Sequence, residues 1–174
     1  MEELQYPFGR FKAKALYTES DITNCIQEIE QLPARLKEEV EALNNKQLDT
    51  PYRDGGWTVR QLVHHIADSH TNAYIRTKWA LTEDQPLIKA YDEKGWATTP
   101  ETVEPIDISL DTLQALHRKW TCVLSKLDDA QRRRQFIHPE SGKAISIAML
   151  IQNYAWHGNH HLAHIIALKK RMNW

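Results

Sequence analysis

Ser146-Ile147-Ala148-Met149-Leu150-Ile151-Gln152-Asn153-Tyr154-Ala155-Trp156-His157-Gly158-Asn159-His160-His161-Leu162-Ala163-His164-Ile165-Ile166-Ala167-Leu168-Lys169-Lys170 reads as one long helix. At about 100° per residue, His157, His161 and His164 fall within roughly 60° of one another, and the same arc holds Leu150, Tyr154 and Leu168. A histidine stripe therefore lies on the face that this helix turns to a core. Three imidazoles stacked within a few turns must satisfy their ring nitrogens and would repel one another if protonated, so a divalent cation is the economical occupant.

Upstream, three more segments share the helical period. Ile22, Ile26, Ile29, Leu32, Leu36, Val40 and Leu43 mark a helix between Ser20 and Leu43, with a kink, or two short helices meeting, expected near Pro33. Turn formers from Asp49 to Gly56 precede a second helix that opens at Thr58 and runs to about Leu81. From Thr82 to Ile108 the chain holds Pro86, Gly95, Pro100 and Pro105 without clear period, which predicts a long connection. Leu110, Leu113, Leu116, Trp120, Val123, Leu124 and Leu127 mark a third helix capped by Ser109 or Asp107, and a turn at 139–142 leads to the fourth. No stretch alternates like a strand. The expectation is an all-α chain, a four-helix bundle forming one domain over 1–174, with a long connection between helices two and three. Tyr6, Phe8, Phe11 and Tyr17 are expected to wrap that bundle.

Composition excludes several classes of function. Lys and Arg number 22 against 23 Asp and Glu, for a net charge of −1 and a pI near 6.8, so no general attraction draws the chain to nucleic acid or an anionic membrane. The basic runs Arg132–Arg134 and Lys169–Arg171 read as solvated charges. The acidic start, Met1 to Gln5, lacks the features of a signal peptide, and no apolar run reaches about eighteen residues. Cys25 and Cys122 form no metal or redox spacing and read as reduced core thiols, which together predict a cytoplasmic protein.

His157 and His161, spaced i and i+4, can place two ring nitrogens on one ion. A third ligand has to come from elsewhere, and the second helix offers His64 and His65 about 100° apart. His65 shares its arc with Leu62, Ser69 and Ala73 and is preferred. His64 and His70 read as solvent-facing or edge residues, His117 and His138 as surface residues. His160 flanks the stripe as a hydrogen-bonding or subunit-contact residue, and His164 is read as facing substrate or supporting a ligand. Asp68, one turn after His65, is read either as orienting a ligand or water or as simply solvated. Three imidazoles and no thiolate leave open positions on one divalent ion, zinc foremost with nickel as the alternative, where water can be deprotonated, a carbonyl polarised, or a thiol activated.

The stretches Leu48 to Gln61, His64-His65-Ile66-Ala67-Asp68-Ser69-His70, Ala90-Tyr91-Asp92-Glu93-Lys94 and Trp156-His157 through His164 resemble the DinB/YfiT superfamily of four-helix-bundle metalloproteins, and within it the YfiT branch of inferred metal-dependent hydrolases. In that family a Trp opens the second helix and the first ligand follows eight residues later, which falls on His65; the remaining ligands fall on His157 and His161. Where many members continue with Gly-Gln, this chain has Leu162-Ala163-His164. The resemblance implies a cytoplasmic homodimer with bound zinc or nickel acting on a small molecule. Three functions follow as expectations: a hydrolase, a thiol S-transferase of the bacillithiol type using a low-molecular-weight thiol, and a metal-binding stress module without turnover.

Overall fold

A computed structural model describes residues 5–14 and 16–174. Four long helices dominate: α1 (Glu19–Val40), α2 (Val59–Thr82), α3 (Asp107–Leu124) and α4 (Ile147–Met172). Three of them open on side-chain caps. Thr18 and Thr58 each complete a reciprocal capping box, with Asp21 and Gln61, and Ser146 accepts from the Met149 N–H. The cap expected for α3 is not formed: the helix starts at Asp107 after Ile106, and Ser109 lies buried inside it. α1 runs through Pro33 as one helix, so the expected division there does not occur.

The bundle is held by α1 packing on α4 and α3, and by α2 packing on the same two. Its core divides into two apolar clusters, and every helix contributes to both. One holds Ile22, Ile26 and Ile29 with Ala73, Ala80, Trp120, Leu124, Ile147 and Ile151. The other holds Leu36 and Val40 with Leu62, Ile66, Leu113, Leu162 and Ile165. α1 and α4 thus run from the first cluster to the second, while α2 and α3 run the opposite way. Because α2 and α3 are parallel neighbours, the chain between them must return the length of the bundle. This is why the connection from 83 to 106 is long; it carries the short helix Glu93–Trp96 and the 3-10 turn Pro100–Val103.

The link between α3 and α4 holds what the sequence reading missed, a two-stranded antiparallel hairpin of β1 (Gln135–Ile137) and β2 (Ala144–Ser146). Strands of three residues are too short to show an alternation. Nearby, Arg132 is buried and pairs with Glu19, and Arg134 donates to the carbonyls of Ala80 and Glu83, so this basic run is structural in part. The N-terminal segment does lie along α4: Trp156 Nε1 donates to the Gly9 carbonyl, Phe11 meets the Trp156 ring, and Tyr6 meets His160, although Phe8 is exposed. The Met1–Leu4 part of the predicted wrap lies outside the described residues. Cys122 is exposed, so only Cys25, half-buried, approaches the expected core thiol. Among the described residues, no helix is long and apolar enough to cross a membrane.

Candidate metal centre

On three of the long helices, α2, α3 and α4, the histidines fall where one apolar cluster gives way to the other. On α2 they lie between Leu62 and Ala73; on α3 His117 lies between Leu113 and Trp120; on α4 they lie between Ala155 and Ile165. A polar layer thereby crosses the middle of the bundle. Within it the structure brings His65, His157 and His161 together, each offering one ring nitrogen, all within 4.8 Å of one another. Asp68 belongs to no such group.

Burial pushes all three rings below the usual imidazole range, His65 to about 4, so at neutral pH each is uncharged and has one bare nitrogen. A tetrahedral ion with bonds of about 2.0–2.1 Å holds its ligand nitrogens roughly 3.3 Å apart, and His157 Nε2 stands 3.1 Å from His161 Nε2. His161 Nδ1 is buried with no hydrogen-bond partner among the described residues. Neutral imidazoles without carboxylate or thiolate fit a borderline divalent cation of the zinc or nickel type. His65 is seated by the Trp57 ring, 4.5 Å away between centroids, which explains why a tryptophan opens α2. At Gly158, a Cβ would lie 2.5 Å from a Leu32 methyl, so α1 approaches α4 beside His157 only because that position carries no side chain.

The other histidines depart from several expectations. His64 is buried rather than solvent-facing, tied at 2.7 Å to Ser109 and at 3.2 Å to the Glu104 carbonyl, which anchors the long connection to α2. His70 and His117, read as edge and surface residues, are both buried and meet at 2.9 Å. The error is one of period: His117 continues the stripe Leu110, Leu113, Trp120, Leu124 at spacings of three and four, and that signal could have placed it inside. His160 and His164 face each other at 3.2 Å and with His161 form a second close group. Tyr52 covers His164 and Trp156 stacks on His160. His138 is half-buried at the hairpin.

A cavity of about 480 Å³ reaches the layer at His157 and is lined also by Ser69, Arg76, Glu93, Asn153 and Tyr154. Arg76 is buried, and its Nε has no hydrogen-bond partner among the described residues; the buried Tyr91 hydroxyl points toward Ser69 without completing a bond. Burial, and then Glu101, pushes the half-buried Asp68 carboxyl up to about 6. Arg76 and Ser69 give the cavity wall hydrogen-bond donors beside His157, and their helix also carries a carboxyl, Asp68, that titrates near neutrality.

Comparison with known proteins agrees with this architecture. Chains from Bacillus cereus ATCC 10987 and Bacillus mycoides KBAB4, each named as an inferred metal-dependent hydrolase, are 51% identical to this one over 174 residues, all of both chains. The structure of YfiT from Bacillus subtilis, described as a probable metal-dependent hydrolase with an unusual four-helix bundle topology, superimposes with a TM-score of 0.97 at 46% identity, covering 99% of each chain. A mycothiol-dependent maleylpyruvate isomerase shares the fold alone, with a TM-score of 0.62 at 12% identity over 83% of this chain and 63% of its own. The DinB superfamily profile matches residues 28–165, and with those whole-length relatives it establishes that the chain belongs to the DinB superfamily.

Proposed function

We propose that the chain is a metal-dependent hydrolase of small molecules in which His65, His157 and His161 hold one divalent cation, zinc or nickel. The observation that carries the reading is the convergence of three uncharged imidazoles, two buried and one half-buried, from two helices at the edge of a cavity. The names of the whole-length relatives support the same activity. When bound, such a cation supplies Lewis acidity, which lowers the pKa of water and polarises a carbonyl.

The chain's own residues supply the remainder. Trp57 packs against the His65 ring, and His157 lines the cavity. Arg76, able only to donate, lines the cavity and faces substrate oxygens, so a substrate carrying a carbonyl or carboxylate is favoured. Asp68 lies one turn from His65 and titrates near neutral pH, which suits it to accept a proton from the attacking water. His164 packs beside His161, its ring filling the space under Tyr52. We further propose a single domain acting as a cytoplasmic homodimer, without a nucleic-acid or membrane partner; the balanced charge supports the last point.

Elemental analysis of the untagged protein beside a His65→Ala variant tests the site: about one zinc or nickel per chain is expected, lost in the variant. Small esters and amides, offered with and without low-molecular-weight thiols, test the reaction. Product from substrate and water alone supports hydrolysis. An absolute need for thiol would replace it with S-transfer, and bound metal without turnover on any of them would leave a metal-binding module. Arg76→Leu is expected to raise KM for an anionic substrate more than it lowers kcat.

A further inference from the structure

Proline has no backbone N–H, so Pro33 leaves the carbonyl four residues before it, that of Ile29, without its helical partner. His117 of α3 takes that place, its Nδ1–H donating to the Ile29 oxygen. A carbonyl only accepts, so the His117 proton must sit on Nδ1. Burial holds this imidazole at about 4, so it carries a single proton at neutral pH and its Nε2 is bare. His70 Nδ1 lies 2.9 Å from that Nε2 and has to donate to it. His70 is itself fully buried between two other rings and takes no second proton, so its Nε2 is bare in turn. Across 3.3 Å it accepts from His157 Nδ1–H.

The donor direction of the whole file thus follows from one backbone oxygen that a proline has set free. We propose that His117 and His70 are positioning residues whose file of hydrogen bonds locks His157 in its Nδ1–H tautomer and presents its Nε2 to the three-histidine group as a lone pair. The inference rests on the metal-site reading above and adds what prepares one ligand before any ion arrives. The remote nitrogen of a ligating histidine sets both its tautomer and its orientation, and loss of such support typically weakens metal binding about ten- to a hundredfold. Pro33, spaced one helical turn from Ile29, is the distal end of the same device.

The test uses the full-length protein labelled with nitrogen-15, observed by long-range proton–nitrogen correlation at neutral pH, metal-free and with zinc added. In the metal-free protein His117, His70 and His157 are expected to carry their protons on Nδ1, and zinc should then shift His157 Nε2 without moving any proton along the file. A His157 ring protonated on Nε2 in the folded, metal-free chain overturns the proposal. Zinc competition against a chelator gives a second readout. His117→Phe should weaken zinc about ten- to a hundredfold, and His117→Gln, which keeps an amide donor for Ile29 and an oxygen for His70, should recover part of that loss. A folded His117→Phe variant with unchanged zinc affinity also overturns it. Failure of the wild-type chain to take up zinc would count against the metal reading, and the tautomers of the metal-free protein would still decide the file.

Discussion

The two ligand-bearing turns of α4 are backed in opposite ways. Behind His157 stands a hydrogen-bonded file that ends on the backbone of α1. Behind His161 the remote nitrogen is buried without a partner among the described residues, as is Nδ1 of the adjacent His160; among those same residues His160 and His164 hydrogen-bond only to each other, at 3.2 Å, and pack against Trp156 and Tyr52. One side is tied by directional bonds to a backbone carbonyl, which sets their donor direction; the other has no such anchor and leans on packing. A site built this way has one ligand ready and another free to adjust its ring as an ion enters.

The largest effect that could break this contrast is loss of the ion itself. His157→Ala and His161→Ala are each expected to drop bound metal well below one ion per chain, with His138→Ala unchanged; equal metal content in all three variants would remove the site. Acid comes next. His65 and His117 sit at about 4 in the fold and near 6.5 once unfolded, so below about 6.5 the unfolded chain binds protons that the folded one refuses. Stability is therefore full above that pH and is lost as pH falls toward 4, by about 1.4 kcal/mol per pH unit for each ring. Asp68, raised to about 6, opposes this in part. Metal-free protein unfolded in denaturant at pH 7 and pH 5 should show the fall, and a flat profile would mean that the layer is already open to protons.

Smaller effects sharpen the contrast. Gly158→Ala must displace Leu32 or separate α1 from α4, at a cost of about 1–3 kcal/mol read from a denaturation midpoint. Because the displaced helix bears Ile29, this change should also disturb the His157 side more than the His161 side. Smallest should be His164→Phe, which retains a ring beneath Tyr52; zinc affinity within about threefold of wild type is expected, against the larger loss in His117→Phe. Comparable losses in the two would show that both sides are held alike.

The helices were legible because their apolar residues repeat at three and four and because Thr58 and Ser146 cap them locally. Grouping His65 with His157 and His161 was legible for the same reason, since an arc on a helix is fixed by spacing. What could not be read was pairing between elements. His70 and His117 are 47 positions apart and explain each other only once α2 and α3 are side by side. Pro33 looked like a break because its missing N–H is a local fact, whereas the group that uses the vacated carbonyl comes from another helix, 88 positions away. Ser109 was misread as a cap for a related reason: its hydroxyl serves His64 across the bundle.

The winding of the chain has a consequence for how the protein forms. Of the pairs of long helices adjacent in sequence, only α2 and α3 pack together extensively, and a long crossover joins them; α1 finds its neighbours in α3 and α4. The contacts between helices therefore join distant parts of the chain, unlike those of an up-and-down bundle. Folding should be slower than its helical content suggests, since loops must close before contacts reward them. On the ribosome α1 waits, its apolar face partly uncovered, until the last helix has been made.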